Sequence, residues 1–208
     1  MIDATTLATY VVIVLGFVFI PGPATLLTVA RAASSGTRVG IATGAGIAAG
    51  DLMHTVMAVV GLSAIIATSA MLFAVIKYLG AAYLIYLGVR ALFERQATDL
   101  AAGTRAIGAR AAFRQAILAE VLNPKTALFF LAFLPQFVKP GNGSAALQLL
   151  VLGGLFVLIG LFSTIVFALA AGGLGNFLRR NPSVLKWQGK VVGGIYCALG
   201  IRLALQDR

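Results

Sequence analysis

Apolar residues fill this chain in long blocks, and the charged positions fall between them. Stretches free of Asp, Glu, Lys and Arg run from Ala4 to Ala30, from Leu52 to Ile76 and from Pro140 to Leu178. A helix needs about 20 apolar residues to cross a bilayer, so each block carries at least one crossing. Further spans fit between the more closely spaced charges. The pattern predicts six transmembrane helices, at about 7–30, 41–67, 71–93, 113–137, 145–171 and 187–206. The first block is longer than a signal-peptide core of about 7–15 residues and has no basic leader, so it reads as a retained span without cleavage. Tyr10, Tyr78 and Trp187 stand near span ends, where aromatic side chains suit the membrane interface.

Composition agrees with an all-α membrane protein. Of 208 residues, 60% are hydrophobic and 11% charged, against about 25% charged in soluble domains. Six crossings leave no room for a separate globular domain, and residues 1–208 form one transmembrane unit. The single cysteine, Cys197, cannot make an internal disulfide or a cysteine metal cluster. No cofactor is expected.

The net charge of +10 raises the question of a nucleic-acid partner, but the basic residues follow topology. Arg31 and Arg38 come after the first span; Arg90, Arg95, Arg105, Arg110 and Arg114 surround the third loop; Arg179, Arg180, Lys186 and Lys190 fill the fifth. These alternate loops share one side, and the positive-inside rule makes it cytoplasmic. Both termini are then expected outside. No platform of basic and aromatic residues accompanies the charges, so no nucleic acid is expected.

Most loops are short and marked by turn residues: Ser34-Ser35-Gly36, Pro140-Gly141-Asn142-Gly143 and Asn181-Pro182. The long connection at about 94–112, small and polar, reads as a cytoplasmic linker between repeat one (about 1–93) and repeat two (about 113–208). Pro23-Ala24-Thr25-Leu26-Leu27 in the first span answers Pro124-Lys125-Thr126-Ala127-Leu128 in the fourth. Leu87-Gly88-Val89-Arg90 at the end of the third answers Leu199-Gly200-Ile201-Arg202 at the end of the sixth. Three spans per half require the halves to be inverted relative to one another, with the first and fourth helices broken. Interrupted helices at matching positions of two halves are the strongest sequence pointer to a transport site.

The candidate chemistry gathers at those breaks. Pro21-Gly22-Pro23 removes two backbone donors inside a span; a packed kink would account for it, and so would a broken helix whose second half turns its positive end toward a carboxylate. Asn123-Pro124-Lys125 puts a helix breaker and a cation together at membrane depth, which is costly unless they line a polar cavity. In the second span, Gly40, Gly44, Gly46 and Gly50 permit close helix approach. Asp51 and His54 follow, three apart and so on one face. They read either as an ammonium or proton site, or, for Asp51, as an ion-pair partner of Lys125. Glu120 stands before the second break, where it can neutralise Lys125, face a cytoplasmic vestibule or take protons.

At these residues the chain resembles the LysE/RhtB family of bacterial amino-acid exporters. The resemblance runs through IPGPATLL, GIAAGDLMHTVMAVVGL, IKYLGAAYLIYLG and NPKTALFFLAFLPQF in that order. It implies a six-span inner-membrane protein that exports amino acids or close derivatives by proton antiport, often as a homodimer. Pro21, Gly22, Pro23, Gly50, Asn123, Pro124 and Lys125 match its signature, with Asp51 as acidic partner; Glu120 departs from the pattern. On this reading the two breaks and Asp51 bind substrate, Asp51, His54 and Glu120 couple protons, and Gly44, Gly46 and Gly50 pack helices. The alternative is a metal or other inorganic-ion exporter of the same superfamily, although few spanning residues are metal ligands. A membrane enzyme is not expected, because no nucleophile–base or paired-carboxylate pattern lies in the spans.

Overall fold

A computed structural model describes residues 2–19, 22–63, 70–93, 106–139, 141–180 and 182–205. Every regular element among them is helical. Helix α1 (Ala4–Phe19) leads to α2 (Pro23–Ser35), and α3 (Thr37–Met57) continues through a wide π-helical turn at Ala58–Leu62. Next come α4 (Ala70–Phe93), α5 (Ala109–Val121) and α6 (Pro124–Leu128), which runs on through a π-helical turn at Phe129–Phe133 and a 3-10 turn at Leu134–Phe137. Helices α7 (Ala145–Arg180) and α8 (Pro182–Leu205) complete the chain.

Thr37–Leu62 and Ala145–Ala171 are long and apolar enough to cross a membrane as single helices. The α1–α2 pair bends by 49° and the stretch from α5 to Phe137 by 46°, and counting each bent pair as one span gives four. These four fall on the expected first, second, fourth and fifth spans. At the expected third and sixth positions stand α4 and α8, packed along each other. Most of the expected linker, residues 94–105, lies outside the described residues, and 109–112 already form the start of α5.

Local sequence explains the joints. Pro23 and Pro124 each open the second half of a bent pair, where a proline's missing N–H costs nothing and its fixed φ suits the first helical turn. Gly36 links α2 to α3 with φ of 94°, a backbone region that side chains disfavour.

Helix α3 is the centre of the packing, because its small residues let three neighbours approach. A Cβ at Gly40 would stand 2.4 Å from Ala32 Cβ on α2; one at Gly44, 2.6 Å from Thr164 Oγ1 on α7; one at Gly46, 2.3 Å from the Phe113 carbonyl on α5. Along α1, Tyr10, Phe17, Phe129, Phe130, Phe133, Phe137 and Phe156 form a continuous aromatic core. Tyr10 satisfies its buried hydroxyl by donating to the Leu152 carbonyl at 2.8 Å. Just before α1, Asp3 pairs with Lys139 at 2.5 Å.

Candidate functional site

The two helix breaks face each other across a small cavity. Gly22, Pro23, Ala24 and Thr25 form one wall; Glu120, Asn123, Lys125 and Thr126 form the opposite one. Asp51 and Ile47 of α3 and Gly160, Ser163 and Thr164 of α7 complete it, and Phe17 and Phe156 close the end nearest the aromatic core. The space is about 40 Å³, room for about three waters at 10–15 Å³ each.

Each break frees carbonyl groups, and side chains from elsewhere in the fold take them up. Proline has no N–H, so position 21 offers no donor to the Phe17 carbonyl. Lys125 Nζ donates to that oxygen at 3.2 Å. The ammonium also lies 4.1 Å from the centre of the Phe17 ring and 5.6 Å from that of Tyr196, where aromatic faces attract a cation. Gly22 leaves space for it: a Cβ there would stand 3.1 Å from Nζ. The next carbonyl, Val18, accepts from Ser163 Oγ at 3.2 Å.

At the second break Pro124 likewise offers no donor to the Glu120 carbonyl. That oxygen accepts from the Asn123 amide at 3.0 Å and faces His54 Nε2 at 3.0 Å. A carbonyl only accepts, so the imidazole carries its hydrogen on Nε2. Asn123 caps α6, its side-chain oxygen accepting from the Lys125 amide at 3.1 Å. Its Nδ2 donates to both Glu120 carboxyl oxygens, at 3.1 and 3.2 Å, and Thr126 Oγ1 donates to Glu120 Oε1 at 2.5 Å. Glu120 therefore ties the two sides of the break together.

Asp51 is different. It is 3% exposed and lines the cavity, yet its Oδ1 has no hydrogen-bond partner. Leaving such a buried group unsatisfied is expensive. The N-terminus of α2 has no side-chain cap, since Gly22 supplies none, and the first-turn amides of a helix point out of its N-terminal end. The cavity thus holds an acceptor without a donor, Asp51 Oδ1, beside a helix N-terminus without a side-chain cap.

Of the candidates read from the sequence, Gly22, Pro23, Asp51, Glu120, Asn123 and Lys125 line one cavity. Pro21 lies outside the described residues. Pro124 is exposed beside the break, and Gly50 sits behind Glu120, where a Cβ would stand 2.6 Å from Glu120 Cβ. Two expectations change. His54 does not pair with Asp51, because its ring stacks on Phe130 at 5.7 Å and its Nε2 serves the Glu120 carbonyl. Lys125 serves the Phe17 carbonyl and forms no ion pair with Asp51 or Glu120 within 4.0 Å. Glu120 is 3% exposed. Thr25, Thr126, Gly160, Ser163 and Thr164 were missed, and the Ser163-Thr164 pair within the charge-free block 140–178 was the available signal.

Residues 15–207 match the LysE type translocator family. A membrane protein of Bacillus subtilis is 33% identical over 210 residues, covering 96% of this chain and 99% of its own. One from Pseudomonas aeruginosa is 32% identical over 203 residues, covering 94% and 93%, and one from Vibrio cholerae 30% identical over 195 residues, covering 94% of each. All three are described only as uncharacterized membrane proteins. No solved structure matches the chain. The cavity with its two proline breaks therefore belongs to a membrane protein of the LysE-type translocator family.

Proposed function

We propose that this translocator exports amino acids or close derivatives across the bacterial inner membrane in exchange for protons. The observation that carries the reading is the juxtaposition of the unpartnered Asp51 Oδ1 with the uncapped N-terminus of α2 in one buried cavity. A free amino acid presents an ammonium and a carboxylate on one carbon, the two charges those groups lack. The ammonium goes to Asp51 and the carboxylate to the α2 amides, with Lys125 adding positive potential.

The cavity as it stands has room for water only, so this is a contracted form whose walls part for substrate. The aromatic core closes the end toward the termini, expected outside. In the return step Asp51 takes a proton in place of the ammonium, since a neutral acid crosses low dielectric more readily than an anion. The proposal includes six spans, two inverted halves, external termini and a homodimer. The alternative, export of an inorganic cation, is opposed by the Lys125 ammonium in the cavity wall.

The test is counterflow exchange and gradient-driven uptake of labelled amino acids in everted vesicles. Exchange that is lost in Asp51→Ala supports the reading. Amino-acid exchange absent from the wild type, with divalent-cation transport in its place, refutes it.

A further inference from the structure

The reciprocal bonding at the two breaks assigns a role that neither the sequence nor the family match gives. Lys125, from the second half, holds the carbonyl of Phe17 at the first break; His54, from the first half, holds the carbonyl of Glu120 at the second. His54 is 4% exposed, its ring is stacked on Phe130, and it is not among the side chains that line the cavity. We propose that His54 is a positioning residue: its Nε2–H gives the Glu120 carbonyl a second donor beside the Asn123 backbone N–H, and so braces the turn carrying Glu120, Asn123 and Lys125 against α3. It neither touches the solute nor carries the coupled proton. It acts together with the backbone bonds of Leu122 and Asn123 in that turn. Asn123 caps α6 and holds the Glu120 carboxyl, and Lys125 follows directly, reaching the opposite break. The transport part of this inference rests on the proposed function; the structural part does not.

A comparison of two substitutions separates the two. His54→Leu keeps roughly the side-chain volume and removes the donor, and its melting midpoint in detergent should fall by about 2–4 °C. His54→Gln keeps a donor at that place and should recover most of the loss. An equal penalty in both variants would mean that the imidazole matters only by packing on Phe130, and would overturn the assignment. In vesicles, His54→Gln places an amide N–H near the position of Nε2 and cannot titrate. It should keep gradient-driven accumulation and its pH profile, whereas His54→Leu should raise the exchange KM about threefold to tenfold. A His54→Gln protein that exchanges substrate but no longer accumulates it would show that the imidazole carries the proton. If the wild type moves no amino acid at all, the proposed function fails while the stability comparison of His54→Leu and His54→Gln still decides the brace.

Discussion

A methyl group added at Gly50 strikes the joint between packing and site. An alanine Cβ there would lie 2.6 Å from Glu120 Cβ, 3.0 Å from its Cγ and 3.3 Å from the Ile117 carbonyl. Carbon atoms rest at about 3.5–4.0 Å, so α5 must retreat by about 1 Å or Glu120 must swing away. Either movement pulls Glu120 from Asn123 and Thr126, whose bonds to it span 2.5–3.2 Å. Overpacking of this size costs about 1–3 kcal/mol. Gly154 on α7 is the control, because a Cβ there meets nothing within 4 Å, and alanine favours the helix by about 1 kcal/mol. The two variants should differ by about 2 kcal/mol or more, about 4–8 °C in melting midpoint for a chain of this size. Thermal unfolding in detergent measures the difference, and counterflow exchange should fall in Gly50→Ala alone. If Gly50→Ala melts with or above Gly154→Ala and exchanges normally, the close packing of α3 on α5 does not hold the site.

Lys125→Ala should insert and purify but lose transport, and Lys125→Arg should be impaired too, because a broad guanidinium does not fit the space beside Gly22 that holds a compact ammonium; normal exchange in either variant would count against the site. Asp3 is held well below the usual carboxylate range, chiefly by the hydrogen bond from Lys139 and then by Thr6. Its small contribution is complete above the ordinary carboxylate value of 3.8 and is lost as pH falls below it. Asp3→Asn should therefore melt slightly below the wild type at neutral pH in low salt, the gap closing in acid; a gap independent of pH would contradict the assignment. In a Cys197→Ala background, cysteines at positions 101 and 142 should react oppositely with an impermeant thiol reagent in intact cells, and equal reactivity would rule out the expected topology.

The breaks were legible in the sequence because proline chemistry is local. Pro23 and Pro124 cannot sit within an unbroken helix ladder without freeing a carbonyl, whatever surrounds them. The packing role of α3 was readable for a similar reason, since glycines four apart mark a surface where backbones can meet. Partner choice was not local. The spacing of Asp51 and His54 places them on one face, yet it cannot show that His54 turns to a carbonyl 66 residues away, because only the packing of α5 on α3 brings that carbonyl to it. Nor could a five-residue separation show that Glu120 bonds Asn123 and Thr126 rather than Lys125; the turn geometry of the break decides it. Ser163 and Thr164 were hidden by their apolar surroundings. Their value appears only where α7 meets the first break.

If the cavity reads the two charged ends of an amino acid as proposed, Asp51 serves both the ammonium and the proton. The most direct measurement compares counterflow exchange with proton-gradient-driven accumulation of the same labelled amino acid in wild-type, Asp51→Asn and Glu120→Gln vesicles. Asparagine keeps the shape and a hydrogen-bonding oxygen but does not titrate, so Asp51→Asn should retain exchange and lose accumulation, while Glu120→Gln should show a smaller defect in accumulation. Normal accumulation by Asp51→Asn together with its loss in Glu120→Gln would transfer the proton to Glu120 and contradict the account.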